Sequence, residues 1–157
     1  MIQVLFLCLG NICRSPMAEA IFRHQVEQAN LQHKIMVDSA GTASWHEGKK
    51  PHEGTQDILD KYNISYANMR ARQIKEKDSQ IFDYIIVMDD QNMVDLQELI
   101  TDNYKSELYK LTDFVTSTQV DHVPDPYYTG DFNYTYELVS EGSKNLLNHI
   151  KNNHQIK

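Results

Sequence analysis

The sequence predicts an α/β fold consisting of a single doubly wound domain over residues 1–157. Short apolar runs alternate along the chain with longer stretches of helical spacing, a rhythm typical of a parallel sheet with crossover helices. No repeat and no Gly-, Pro- or Ser-rich linker interrupts it, and a chain of 157 residues is the usual size of one domain.

Four apolar runs are predicted to be strands. The first, Ile2 to Leu7, is almost continuously apolar, as a strand buried on both faces should be. The second is Ile35 to Ser39 and is closed by Ala40-Gly41. The third is Tyr84 to Met88, and the fourth, less apolar, is Leu108 to Leu111.

Helical patterns connect these strands. After the first strand, Ser15 is a candidate cap and Pro16 suits the first helical position, with an apolar stripe of Ala18, Phe22, Val26 and Ala29 behind them. Further helices are predicted from Pro51 to near Tyr62 and from about Asp90 to Ile100. A C-terminal helix carries Tyr136, Val139, Leu147 and Ile150. A connection of about twenty residues without a helical pattern precedes it, and long loops of this kind are often functional.

Composition limits the function classes. The formal net charge of −7 argues against general binding of nucleic acid or of an anionic membrane surface. No apolar run approaches the ~20 residues that a membrane span needs, and the N-terminus lacks a signal-peptide pattern, so a cytoplasmic protein is expected, with signal-independent export left open. The two cysteines, Cys8 and Cys13, form no disulfide framework, and the seven histidines show no metal-ligand spacing. We therefore expect neither metal nor cofactor.

The segment Cys8-Leu9-Gly10-Asn11-Ile12-Cys13-Arg14-Ser15 joins the first strand to the first helix. Its backbone N–H groups and the positive end of the following helix can converge on an anion, while the Arg14 guanidinium can bind two phosphate oxygens. Gly10 and Asn11 tolerate the positive φ that such a cradle requires. The same field would stabilise a Cys8 thiolate, which is a nucleophile. The alternative for the Cys–Arg spacing alone is coincidence, but the strand, the Gly-Asn pair and the Ser-Pro helix start favour a phosphate loop.

At these residues the sequence resembles the low molecular weight protein tyrosine phosphatases, whose N-terminal loop reads Cys, five residues, Arg, Ser. The similarity continues through Ser-Pro-Met-Ala-Glu-Ala at 15–20, Ser39-Ala40-Gly41-Thr42, Trp45, Phe82-Asp83-Tyr84, Met88-Asp89 and Asp125-Pro126-Tyr127-Tyr128. It implies a four-stranded parallel sheet in the order 2-1-3-4 with helices on both faces. It also implies hydrolysis of phosphotyrosine through a phosphocysteine, with Cys8 as nucleophile, Arg14 as phosphate clamp and phosphotyrosine-containing proteins as partners.

A tyrosyl leaving group needs a proton, and Asp125 is the candidate donor because Pro124 and Pro126 hold it rigidly in the long loop. The residues alone favour an ordinary turn for Asp-Pro-Tyr-Tyr, and the family resemblance reverses that interpretation. By resemblance, Asp125 is the general acid and then the general base. Asp89, at the end of the third strand, is a rival acid whose alternative role is a helix cap.

The resemblance also implies a set of residues around the substrate. Trp45 and Tyr127 would form aromatic walls. Ser15 would stabilise the Cys8 thiolate, cap the helix or do both, and Asn11 and Ser39 would brace the loop. Met69 stands where some relatives carry a bracing histidine, so the bracing must differ here. The substrate-binding set is Leu9, Gly10, Asn11, Ile12, Cys13, Ser15, Trp45 and Tyr127.

Functions other than phosphotyrosine hydrolysis fit parts of this pattern. Arsenate reductases of similar fold need further cysteines near the third strand, and residues 80 to 95 contain none. An arginine phosphatase relative carries Thr where this chain has Ile12. Phosphopeptide binding without turnover, and redox sensing through Cys8 and Cys13, remain alternatives from other classes. We expect a monomer, and weak self-association is left open.

Overall fold

The computed structural model describes residues 1–156, so the predicted domain end at residue 157 lies outside the described residues. Its centre is a four-stranded sheet in the order β2-β1-β3-β4, with every neighbouring pair parallel. The strands are β1 Ile2–Cys8, β2 Ile35–Gly41, β3 Tyr84–Val87 and β4 Glu107–Lys110. The predicted strand order is therefore confirmed.

The ends of the strands differ from the prediction. Strands β1 and β2 extend to Cys8 and Gly41 because these two residues are paired in the parallel ladder. Strand β3 stops at Val87, and the N–H of Met88 donates instead to the Asn92 side chain. Strand β4 ends before Leu111, which begins a short 3₁₀ helix over Leu111–Phe114.

Residues 1–156 form six α-helices: α1 Arg14–Gln28, α2 Glu53–Lys61, α3 Asp78–Ile81, α4 Asp90–Leu99, α5 Pro126–Thr129 and α6 Phe132–Asn153. Helices α3 and α5 were not predicted, since four residues are too few to show a helical period. The apolar stripe predicted for α1 is one residue too long, because Ala29 is exposed and lies beyond the end of the helix.

Side chains of β1 alternate between two apolar cores. Val4 and Phe6 pack with α1, α2 and α6 on one face, whereas Leu5 and Leu7 pack with Leu96 of α4 on the other. All four of these β1 side chains are fully buried, and burial of each stabilises the fold by roughly 1.5–3 kcal/mol. Helices therefore cover both faces of the sheet.

This topology determines where a ligand can bind. Strands β2 and β3 lie on opposite sides of β1, so the strand order reverses beside β1 and leaves a crevice at its carboxyl end. Cys8 ends β1, and Asp89 follows β3 at the same edge of the sheet. No helix among residues 1–156 has both the length and the apolarity of a membrane span.

Candidate active site

The loop between β1 and α1 ends directly on a helix terminus. Helix α1 begins at Arg14, and Cys13 occupies the position before it without a side-chain hydrogen bond to the helix. The prediction that Ser15 is the cap is therefore wrong, because Ser15 already lies inside the first turn and its side chain points to other groups. The first N–H groups of a helix have no intrahelical acceptor, so this end of α1 presents donors and a positive dipole to the loop.

The Cys8 side chain is buried in the middle of these donors. Its Sγ accepts a hydrogen bond from the Asn11 N–H at 3.3 Å and lies 3.0 Å from the Ser15 Oγ. The Asn11 N–H therefore points at the sulfur, and the Ser15 hydroxyl lies within hydrogen-bonding distance of it.

Asn11 holds the loop in shape. It adopts a φ of 56°, and its Nδ2 donates to Ser15 Oγ at 2.8 Å and to Ser39 Oγ at 2.9 Å. Its Oδ1 accepts from the Arg72 N–H at 2.9 Å, a donor that the sequence did not suggest. Asn11 and Ser39, which were both expected to brace the loop, are thus hydrogen-bonded to each other.

Gly10 is needed for space rather than for a positive φ. The expectation of a left-handed backbone at Gly10 is wrong, because Asn11 alone takes that conformation in the loop. A Cβ on Gly10 would lie 3.0 Å from the Cδ2 of His46. A Cβ on Gly41 would lie only 2.7 Å from the Leu9 carbonyl oxygen. Both glycines therefore allow neighbouring segments to approach the loop closely.

A second layer of polar groups supports Asn11 from behind. The Ser39 hydroxyl donates to Glu19 Oε1 at 2.6 Å, and the other Glu19 oxygen pairs with Arg23. Burial raises the pKa of Glu19 above its ordinary value, against the opposing effect of these two partners. Met69 is buried beside them, with its sulfur 3.9 Å from the Arg23 Nη1. The loop is thus braced here by Glu19 and by the Arg72 backbone rather than by the side chain of residue 69.

Arg14 links the loop to two other segments. Its Nη1 donates to Asp89 Oδ2 at 2.7 Å and to the Val123 carbonyl at 2.9 Å, and its Nη2 donates to Asp125 Oδ2 at 3.4 Å. Burial lowers the pKa of Arg14, but Cys8, Asp89 and Asp125 outweigh burial and raise it overall. The buried Nε–H has no acceptor within residues 1–156. The Nε–Nη2 edge is thus the part of the guanidinium suited to an oxyanion.

Asp125 lies in the long loop at the start of α5. One carboxylate oxygen caps α5 by accepting from the Tyr127 N–H at 3.0 Å, and the other faces Arg14. The loop is anchored just before it, because the Val123 N–H donates to the Met88 carbonyl at 2.8 Å. Asp89 also caps a helix, accepting from the Asn92 N–H at 2.7 Å. Its other oxygen binds Arg14, so Asp89 performs the predicted capping and fixes the guanidinium.

A cavity of about 250 Å³ opens above the loop. It brings together Cys8, Asp125 and six predicted substrate-binding residues, namely Leu9, Gly10, Ile12, Cys13, Trp45 and Tyr127. Asn11, Arg14 and Ser15 are not among the residues that line it, although Arg14 donates to Asp125, which does. His46 and Tyr128 line it although they were not predicted as site residues. The Asp-Pro-Tyr-Tyr motif was the available signal for Tyr128, whereas His46 had only its position beside Trp45.

The second cysteine is a neutral thiol. Burial raises the pKa of Cys13 to about 12, and the nearby Asp125 and Cys8 act in the same direction. Both cysteines are free. Among residues 1–156, no three His, Cys, Asp or Glu side chains are grouped so that they could hold a metal ion.

The chain is similar to known proteins over almost its whole length. The family model described as low molecular weight phosphotyrosine protein phosphatase matches residues 3–156. The chain is 48% identical over 156 residues to the low molecular weight protein-tyrosine-phosphatase YfkJ of Bacillus subtilis, covering 99% of this chain and 100% of that protein. It is 46% identical over 157 residues to PtpA of Staphylococcus aureus strain Newman, a protein of the same description, covering 100% and 99% of the two chains.

Solved structures agree with these sequence matches. The crystal structure of YfkJ superposes with a TM-score of 0.94 over 98% of this chain and 96% of that one. The crystal structure of a Drosophila arginine phosphatase superposes with a TM-score of 0.87 at 36% identity, covering 94% and 97% of the two chains. The fold alone therefore does not separate enzymes that act on phosphotyrosine from one described as acting on arginine.

Proposed function

Because this chain belongs to the low molecular weight phosphotyrosine protein phosphatase family, we propose that it hydrolyses phosphotyrosine through a phosphocysteine intermediate on Cys8. The observation that carries the proposal is that a single cavity is lined by both the Cys8 thiol and the Asp125 carboxyl. A nucleophile and a proton donor facing the same space are the two groups that phosphate transfer from a phenol requires.

In the first step the Cys8 thiolate attacks phosphorus, an S–P bond forms and the bond from phosphorus to the phenolic oxygen breaks. Asp125, as the carboxylic acid, gives its proton to that oxygen, and tyrosine leaves. The Nε–Nη2 edge of Arg14 and the N-terminal N–H groups of α1 stabilise the negative charge on the transferring phosphoryl group. Phosphate binding would replace the long contact from Arg14 Nη2 to Asp125, which frees that carboxyl for proton transfer.

In the second step Asp125, now a carboxylate, takes a proton from water as the water oxygen attacks phosphorus. The S–P bond breaks and returns its electron pair to Cys8. The Ser15 hydroxyl, 3.0 Å from the sulfur, is placed to donate to the departing thiolate. Asp89 positions Arg14 without itself contacting the cavity.

The walls of the cavity support an aromatic substrate. Trp45 and Tyr127 line it and are largely exposed, which suits contact with a phenyl ring. Phosphoserine is too short to bring its phosphorus to a cysteine at the floor of such a cavity. Ile12 also lines the cavity and offers no hydrogen bond to a guanidinium, so an arginine substrate would leave a polar group unpaired at a cost of about 1–3 kcal/mol.

Two variants test the mechanism with an aryl phosphate. We expect Cys8→Ser and Arg14→Ala each to reduce turnover to background, since one removes the nucleophile and the other the charged clamp. Arg70→Ala is the matched control, because Arg70 is exposed and bonds only the Met69 carbonyl. Acid quenching with labelled substrate should leave phosphate on Cys8. Activity of Cys8→Ser within tenfold of the parent would contradict the mechanism, as would reversible loss of activity on chelation with EDTA.

Substrate class is tested by placing phosphotyrosine, phosphoserine, phosphothreonine and phosphoarginine on one peptide scaffold. We expect phosphotyrosine to be preferred by at least tenfold in kcat/KM, and Ile12→Thr to narrow the difference from phosphoarginine. An equal or higher kcat/KM for phosphoarginine in the unmodified protein would reassign the substrate. Binding of all peptides without turnover would indicate a phosphopeptide-binding module instead.

A further inference from the structure

Negative charge is concentrated in one part of this chain. Between Lys110 and Lys144 there is no Lys or Arg, whereas six carboxylates are present: Asp113, Asp121, Asp125, Asp131, Glu137 and Glu141. This stretch therefore accounts for six of the seven units of formal net negative charge. Such an imbalance creates a local potential that acts on charged ligands approaching this side of the molecule.

The acidic stretch forms one side of the active-site entrance. Asp125, Tyr127 and Tyr128 line the catalytic cavity. Directly before them, residues 115, 116, 118–122 and 124, together with Tyr134, line an open groove of about 940 Å³, which we call the acidic groove after the exposed carboxylate of Asp121 in its lining. Pro124 belongs to the groove and Asp125 to the cavity, so the two spaces adjoin at consecutive residues.

Within the part of the chain that the structure describes, no Lys or Arg side chain pairs with the carboxylate at the groove. The Asp121 carboxylate is 81% exposed, and its hydrogen-bonded partner is the neighbouring His122. The Lys110 ammonium reaches the Asp121 backbone carbonyl, but its charge pairs with Asp90 at 3.0 Å. The segment next to Trp45 and His46, which also line the cavity, has no such imbalance, because the charges of Lys49 and Lys50 balance those of Glu47 and Glu53.

An acidic face beside a site for a phosphate dianion repels substrate unless the substrate carries compensating charge. We propose that the acidic groove binds a Lys- or Arg-containing segment that flanks the phosphotyrosine of the substrate protein. This inference rests on the proposed function and adds a sequence preference to it. The exposed ring of Tyr128, which lines the cavity, offers a cation–π contact to the same basic side chains.

The reach of the chain limits where the basic residues must stand. Asp121 and Asp125 are four positions apart in the sequence, and an extended chain of this length spans at most about 14 Å. A peptide whose phosphotyrosine occupies the cavity therefore reaches Asp121 within about four or five residues. Charges at this distance interact appreciably at low ionic strength and are largely screened at high salt, where the Debye length falls to a few ångströms.

The test uses phosphotyrosine peptides that differ only in their flanks: alanine, lysine or glutamate at positions three to five from the phosphotyrosine, on either side. At pH 8 and low salt, we expect lysines on one of the two sides of the phosphotyrosine to raise kcat/KM at least fivefold above the alanine peptide, chiefly by lowering KM. Glutamates on that side should lower kcat/KM below the value of the alanine peptide. The advantage should shrink to less than twofold in 0.5 M salt. Equal kcat/KM values for lysine and alanine peptides would overturn the inference.

Variants that add positive charge show where on the surface the preference for lysine peptides arises. Thr118→Lys adds one positive charge to the groove at an exposed residue, and Thr101→Lys is its matched control after the end of α4, remote from the carboxyl edge of the sheet. We expect the lysine-to-alanine kcat/KM ratio to fall at least threefold in Thr118→Lys and in Asp121→Lys, and to stay at the parent value in Thr101→Lys. An unchanged ratio in the groove variants, or an equal fall in all three, overturns the assignment. Turnover of a small aryl phosphate reports the catalytic proposal separately.

Discussion

Two aspartates bind the same guanidinium, yet they differ in what else they contact. Asp125 lines the catalytic cavity, whereas Asp89 lies behind it and caps α4. The switch-point position made Asp89 a reasonable rival acid, and only the three-dimensional arrangement of the two side chains distinguishes them. Their variants should therefore fail in different ways.

Asp125→Ala should lower kcat by about 10² to 10⁴ for substrates with poor leaving groups and by much less for activated aryl phosphates, because only the former need the proton. Asp89→Asn keeps a capping oxygen but removes the negative charge that pairs with Arg14, so its loss of kcat should be similar for all leaving groups. Measuring kcat across a series of phenyl phosphates of decreasing leaving-group pKa decides between them. A flat dependence for Asp125→Ala would assign that residue a structural role.

Cys13 should make the protein less stable in alkali. The pKa of this thiol is about 12 in the folded chain, against an ordinary value of 9.0. Below pH 9 both states hold the proton; from pH 9 to about 12 the unfolded state loses it and the folded state does not. The free energy of unfolding should therefore fall across this window, by up to about 4 kcal/mol from this group. Denaturant titrations of Cys13→Ala should show a shallower fall, and parallel curves would contradict the raised pKa.

The same protonated thiol affects recovery from peroxide. A thiol must ionise to attack a sulfenic acid, so Cys13 should trap oxidised Cys8 slowly at neutral pH and faster as the pH rises. Peroxide-treated parent should regain activity with added thiol, and Cys13→Ser should regain less. Equal recovery in the two proteins at every pH would remove a protective role from Cys13.

Among the elements, the close approach of β2 to the phosphate loop is the most sensitive to substitution. Gly41→Ala would place a methyl group 2.7 Å from the Leu9 carbonyl, so the loop must shift. We expect at least a tenfold loss of kcat together with a stability loss of about 1–3 kcal/mol. Gly142→Ala is the matched control, because its methyl group meets Leu111 at 2.8 Å, away from the loop. The control should lose stability while retaining kcat, and equal kcat losses would contradict a specific effect on the loop.

The sequence predicted the four strands, the four long helices and the loop between β1 and α1, because each carries a period, a run or a motif within a few residues, whereas the strand order came from the family resemblance. It did not predict α3 and α5, which are one turn each. It also missed the start of α1, because Ser15 is a common cap residue, whereas Cys13, which precedes the helix, makes no side-chain cap bond. The contacts of Asn11 with Ser39 and with the Arg72 backbone join segments 28 and 61 residues apart. No local pattern encodes such distances, and the family resemblance implied only that Asn11 and Ser39 each brace the loop.

The same limit explains the position of Gly10. A glycine in a tight loop suggests a positive φ, but the structure places that conformation one residue later, at Asn11, where the side chain makes three hydrogen bonds. The packing of the His46 ring against Gly10 could not be seen from the sequence, since the two residues lie in different loops. The chemistry of the site was therefore more predictable than the packing that supports it.

In the whole molecule, the sheet is stabilised by buried apolar side chains, whereas the loop that carries Asp125 is fixed by a few hydrogen bonds. The sheet has two apolar cores that bury β1 from both sides, whereas the acid loop from Val115 to Asp125 lies mainly at the surface. Its fixed points near the site are the Val123 N–H on Met88 and the Val123 carbonyl on Arg14. Segments with few buried contacts open locally far more often than the core of a domain.

Arg14 thus acts as a removable crosslink between parts of the chain that are 75 and 109 residues apart. Holding such distant segments together opposes the entropy of a long closed loop. Arg14→Lys, with one point charge in place of a planar fork, should let the Val123 amide exchange its hydrogen for deuterium at least tenfold faster, while the Ile86 amide in β3 keeps its parent rate. Equal protection of Val123 in both proteins would show that the loop closes without this crosslink. If the rates differ, the residue that clamps phosphate also sets how long the general acid remains beside it.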